Sequence, residues 1–147
     1  MNIYTPEYFM RQAISEANKA LREGEIPVGA VIVANNQIIA KAYNQTERLK
    51  DVTAHAEMLA ITAASEYLAS KFLNDCTLYV TLEPCPMCAG ALAWSRIGKI
   101  VYAAADAKKG FSLIEHTLLH PKTIIEKGIL EAECKELLQT FFRGRRS

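Results

Sequence analysis

The chain has 147 residues, with 17 Lys and Arg against 16 Asp and Glu, for a net charge of +1. That length suits one domain spanning 1–147 with room for a real core, and near-neutrality leaves a nucleic-acid partner only a local patch to bind. No apolar run approaches the roughly 20 residues of a transmembrane helix, "MNIYTPEYFMRQ" lacks the marks of a signal peptide, and four cysteines fit a reducing cytoplasm better than a disulfide scaffold.

In chain order, "TPEYFMRQAISEANKALREGE" predicts a helix, with Thr5 as N-cap, Pro6 at the first helical position and Gly24 near the end. Met10, Ile14, Ala17 and Leu21 share one face at helical spacing. "VGAVIVANNQIIAKAYN" gives two apolar runs around Asn35 and Asn36, a pair suited to the positive φ of a tight hairpin. The polar "NQTERLKDVT" reads as a loop, and "HAEMLAITAASEYLAS" as a helix. "CTLYVTL" is a short buried-type strand, "CPMCAGALAWSR" a helix and "KIVYAAA" another strand. "DAKKGFSLIEHTLLHPK" reads as loop or broken helix, and "TIIEKGI" as a last strand. "LEAECKELLQTFFRGRR" closes the chain as an amphipathic helix, with Leu130, Cys134, Leu137, Leu138 and Phe141 inward. Helices alternating with strands predict one layered α/β domain, without repeats or linkers.

The chemistry concentrates in "TAHAEMLAI" and "TLEPCPMCAG". Cys85 and Cys88 could be half of a structural zinc site, a redox pair or two buried thiols. A structural site needs four ligands, usually two pairs, and Cys76 and Cys134 stand alone. A redox pair would normally follow a strand of a thioredoxin-like unit, which nothing else here suggests. His55 offers a third ligand, and three protein ligands leave the fourth position of a tetrahedral Zn²⁺ for water, the arrangement of a catalytic site. Glu57, beside the metal but not bound to it, could take and pass on that water's proton. The pattern H-x-E…P-C-x-x-C, here His55, Glu57, Pro84, Cys85 and Cys88, is the signature of zinc nucleobase deaminases. Positions i and i+2 do not share a face of a regular helix, so His55 and Glu57 must sit in its first, irregular turn.

On these motifs the chain resembles the cytidine deaminase superfamily, and within it the bacterial tRNA-specific adenosine deaminases. "EIPVGAVIV", "TAHAEMLAI", "TLYVTLEPCPMCAGAL", "KIVYAAADAKKG" and "FFRGRR" follow that family's pattern in order, roughly from Tyr8 to Arg146. The resemblance implies a three-layer α-β-α sandwich around a central five-stranded mixed sheet, and a homodimer. It implies one zinc per chain on His55, Cys85 and Cys88, no separate organic cofactor, and Glu57 as proton shuttle. It further implies that Asn44 and the backbone of Ala56 contact the target base, and that Asp106 lies near the ribose. The expected product is inosine at the first anticodon position of a tRNA, with ammonia released. An anticodon loop already offers unpaired bases, so the unstacking cost is low. Lys108, Lys109, Arg143, Arg145 and Arg146 could meet phosphates, or the arginines could simply solvate the chain end.

The stretch "KKGFSLIEHTLLHPKTIIEK" departs from the family pattern. It is shorter than in many tRNA adenosine deaminases and carries His116 and His120 without an Asn-His pair. Val52 stands where a proline often precedes the histidine block. Three readings stay open: a tRNA wobble deaminase, a deaminase of a free base or nucleoside, and a non-catalytic zinc-stabilised RNA-binding domain. Glu57 argues against the third, because a structural site has no need of an unligated carboxylate.

Overall fold

Asn35 and Asn36 both take left-handed backbone, with φ of 56° and 60°, and fold β1 (Gly29–Ala34) back onto β2 (Gln37–Tyr43). This is the two-residue hairpin turn expected of an Asn pair. In the computed structural model, which describes residues 3–114 and 116–145, the remaining strands are β3 (Cys76–Leu82), β4 (Lys99–Ala104) and β5 (Ile124–Lys127). The sheet order is β2-β1-β3-β4-β5. β1 runs antiparallel to both β2 and β3, whereas β3, β4 and β5 are parallel. The five-stranded mixed sheet is therefore as expected.

Helices cover both faces, because the strands alternate. Ala30 and Ile32 of β1, Leu78 and Val80 of β3, and Ile100 and Tyr102 of β4 point to one side. There they meet α3 (Ala56–Leu68) through Ala56, Ala60 and Ala64, and α4 (Pro86–Ser95) through Leu92. The alanines recur every fourth residue, so α3 presents a smooth face that lies close to the sheet. Val31, Val33, Tyr79 and Val101 point to the other side. They pack against Phe9, Met10 and Ala13 of α1 (Pro6–Arg22) and Cys134 of α5 (Glu131–Gly144). Each fully buried Val, Leu or Ile contributes about 1.5–3 kcal/mol relative to leaving it exposed. A Cβ at Gly29 would run into the Ala13 carbonyl oxygen and the Ala17 nitrogen, so glycine lets α1 lie directly on the start of β1.

Several boundaries differ from expectation. The polar stretch after β2 contains a four-residue helix, α2 (Thr46–Leu49). Its start is held by the buried Glu25, whose Oε1 accepts from the Glu47 N–H at 3.0 Å and Oε2 from that of Arg48 at 2.8 Å. Leu130 precedes α5 with φ 58° instead of belonging to it. On α1, the buried stripe runs Phe9, Met10, Ala13, Ala17 and Ala20, while Ile14 and Leu21 are half-buried. The described residues of the 106–122 stretch are loop with a single 3-10 turn, Phe111–Leu113. Among the described residues, no helix is long and apolar enough to cross a membrane.

Candidate metal centre and active site

The carboxyl ends of the parallel strands β3 and β4 open onto one cleft, the usual ligand position in such sheets. Its volume is about 190 Å³. Leu82 ends β3, and the chain turns through Glu83 and Pro84 into Cys85, which caps α4 in an extended conformation (φ −74°, ψ 169°). Pro86 follows at the first helical position, where its missing N–H costs nothing. Cys88 therefore lies in the first turn of α4, and it is fully buried. His55 caps α3 in the same way, with φ −71° and ψ 154°. This removes the expected difficulty of spacing: His55 stands just outside the helix and Glu57 just inside it.

The two helix starts bring three ligand atoms together. His55 Nδ1 lies 3.7 Å from Cys85 Sγ and 3.5 Å from Cys88 Sγ, and all three atoms fall within 4.8 Å of one another. With Zn–S of about 2.3 Å and Zn–N of about 2.0–2.1 Å at a tetrahedral angle, neighbouring N and S ligands should sit about 3.6 Å apart. The donor set and its spacing fit a single zinc ion. The unpaired N–H groups at both helix starts add positive potential, which favours thiolates there.

The protons follow this geometry. The Cys88 thiol bonds to the Cys85 sulfur, and His55 lies beside it, so Cys85 is drawn down to about 4. Cys88, the donor of that bond and deeply buried, is pushed up. His55 is raised, first by its bond to Cys85 and then by the charge of Glu57. Glu57 is only 4 % exposed, and burial pushes its carboxyl up from 4.5 to about 7, against smaller opposing contributions that include His55. A carboxyl poised there can accept a proton and return it near neutral pH.

The other expected residues line the same cleft. Asn44 is buried. Its Nδ2 donates to the Ile26 carbonyl at 3.2 Å and its Oδ1 accepts from the Thr46 N–H at 3.4 Å, so it is a turn residue and a wall residue together. Ala56 is fully buried in the first turn of α3. Asp106 Oδ1 accepts from the N–H groups of Lys108 and Lys109, both at 3.0 Å. Of the basic residues, Lys109 reaches the cleft. Arg145 instead donates to the Gly24 carbonyl, and Arg146 lies outside the described residues. Glu83 and Glu25 escape the sequence reading. The only signal for Glu83 was its place next to Pro84 and Cys85.

Comparisons with known proteins bear on this centre. Residues 3–104 match the family model for the cytidine and deoxycytidylate deaminase zinc-binding region. A tRNA-specific adenosine deaminase of Aquifex aeolicus is 48% identical over 146 residues, covering 96% of each chain. One of Bacillus subtilis is 46% identical, covering 95% of this chain and 90% of its own. A solved structure from work on A-to-I editing by tRNA:A34 deaminases at the wobble position superposes with a TM-score of 0.83 at 40% identity. It covers 89% of this chain and 99% of that one.

Proposed function

The chain belongs to the cytidine and deoxycytidylate deaminase zinc-binding family, and from that premise we propose that it hydrolyses adenosine to inosine at the first anticodon nucleotide of tRNA. The observation that carries this reading is the buried Glu57 carboxylate beside a three-ligand zinc centre. The relatives named as tRNA-specific adenosine deaminases support its substrate.

Zinc, held by His55, Cys85 and Cys88, would supply Lewis-acid activation of a water at neutral pH. Glu57 takes one proton from the attacking water and delivers it to the purine ring as carbon 6 is attacked. It then takes the proton of the new carbon-6 hydroxyl and delivers it to the departing amine, which leaves as ammonia as the carbonyl of inosine forms. Asn44 and the backbone at Ala56 hold the base, and Asp106 lies beside the ribose. Lys109, at the cleft edge, meets a phosphate. The anticodon loop presents its base already unpaired, which keeps the cost of inserting it into the cleft low.

The partners follow the same reading. The protein works as a homodimer in the cytoplasm, and the outer face of α4 supports the dimer: Trp94 is 86% exposed there, with Met87 on the same helix also exposed. The decisive experiment measures inosine in a tRNA anticodon stem-loop alongside ammonia release from a panel of free bases and nucleosides. Inosine in the stem-loop, with negligible turnover of the panel, is expected. Rapid turnover of a free base with an untouched stem-loop would replace the tRNA reading by a free-base deaminase.

A further inference from the structure

The loop between β4 and β5 carries two cleft residues, Asp106 and Lys109, yet among its described residues the only regular structure is the Phe111–Leu113 turn. Something outside the loop must fix it. Glu83 is 2% exposed. Its Oε1 accepts from the Asp106 N–H at 3.0 Å and its Oε2 from the Ser112 N–H at 2.9 Å. Its own N–H donates to the Ala104 carbonyl at 2.8 Å, and the Phe111 N–H donates to the neighbouring Pro84 carbonyl at 2.9 Å. Gly110 lies against the carboxylate so closely that a Cβ there would collide with it. Glu83 also stands two residues before Cys85, on the turn that delivers the zinc ligand.

We propose that Glu83 is a positioning residue whose buried carboxylate clamps both ends of the 106–112 loop to the zinc-ligand turn, setting Asp106 and Lys109 against the substrate. Both oxygens accept from backbone N–H groups of the loop, a holding task distinct from the proton transfers assigned to Glu57. A carboxylate suits this task because bonds to a charged acceptor are roughly twice as strong as neutral ones, and because one side chain reaches two donors six residues apart. The consequence is a division of labour. Glu57 serves the chemical step, while Glu83 serves substrate affinity through the loop. This step rests on the deaminase reading above.

The test is Glu83→Gln in the zinc-loaded full chain, followed by amide hydrogen exchange and steady-state kinetics on the anticodon stem-loop. A Gln presents an NH₂ to one of the two N–H donors, so that bond is lost. Exchange at whichever of Asp106 and Ser112 loses its acceptor should accelerate about 10- to 100-fold, the range expected for a bond to a charged group. KM should rise about tenfold, kcat should stay within about threefold, and zinc should remain at one per chain. Gly110→Ala, which displaces the carboxylate without removing it, should give the same pattern and stands in should Glu83→Gln not fold. Unchanged exchange at the two amides overturns the clamp. Faster exchange with an unchanged KM overturns the positioning role, and loss of zinc would make Glu83 a support of the metal instead. A wild type that leaves the stem-loop unmodified overturns the tRNA reading alone, since the exchange rates still decide the clamp.

Discussion

His55 Nδ1 and Cys88 Sγ, thirty-three residues apart in the chain, lie 3.5 Å from each other because each sits at the start of a helix pointed at the same cleft. Cys85 completes the set, and the other two cysteines are far from it in the layers. Cys76 is buried at the start of β3, and Cys134 packs α5 against the opposite face. The purified protein should therefore hold about one zinc per chain by atomic emission. Cys85→Ala or Cys88→Ala should lose both zinc and activity, and Cys76→Ser and Cys134→Ser should keep their zinc. A fully active metal-free preparation would contradict the deaminase reading.

Zinc binding should be pH-dependent with a definite sign. The metal-free pair keeps one proton across neutral pH, because Cys85 is lowered to about 4 while Cys88 is raised. A coordinated thiol is deprotonated, so that proton must leave when zinc enters. Affinity should fall about tenfold for each unit that pH drops between about 8 and 6. Protonation of His55, whose pKa is also raised, steepens the loss at the acid end. Chelator competition, with calorimetry in two buffers of different ionisation enthalpy, reads the proton count. A flat affinity profile would show that both thiols are already ionised without metal.

Gly29→Ala tests the layer that supports the cleft from behind. The new Cβ meets the backbone of α1 at Ala13 and Ala17, not a movable side chain. Overpacking of this kind costs about 1–3 kcal/mol, and each kcal/mol lowers Tm by about 2–4 °C in a domain of this size. Calorimetry should show that drop with zinc stoichiometry unchanged. An undiminished Tm would mean that α1 can ride outward at little cost.

Trp94 probes assembly. Being 86% exposed, it contributes little to the fold of one chain, so Trp94→Glu should fold and bind zinc normally. If α4 forms the dimer face, the variant should sediment as a monomer and lose activity on RNA. The wild type should lose activity on dilution at the concentration where it dissociates. Wild-type monomers with full RNA activity would remove the dimer from the mechanism.

The candidate metal cluster of His55, Cys85 and Cys88, with Glu57 beside it, was legible in the sequence because it depends on short spacing within two motifs, and helix starts are marked locally by features such as Pro86. The hairpin was legible for the same reason, since two adjacent asparagines state their own backbone. Glu83 and Glu25 were not. Each looks like an ordinary acidic loop residue, and each acts only through N–H groups 22 to 29 residues away. The short α2 is tied to Glu25, so no local pattern announced it. The wall residues Asn44 and Asp106 could be placed only by resemblance. Their turn bonds are local, but the cleft they face is built by the sheet.

Glu57→Gln separates catalysis from binding. Glutamine keeps the size and can still hydrogen-bond a water, but it cannot carry a proton. The ligand set is His55, Cys85 and Cys88, so the variant should fold and bind one zinc per chain. Proton transfers must still reach the ring and the amine, and each general acid–base step is typically worth about 10²–10⁴-fold. Because the proposed mechanism gives one residue several transfers, kcat should fall by at least the upper part of that range. Binding of the anticodon stem-loop should survive nearly intact, since the proposed reading assigns it to phosphate contacts and to the walls at Asn44, Ala56 and Asp106. Single-turnover inosine formation and stem-loop titration read the two effects separately. A variant that deaminates at a comparable rate removes Glu57 from the mechanism, and one that loses zinc makes it a ligand.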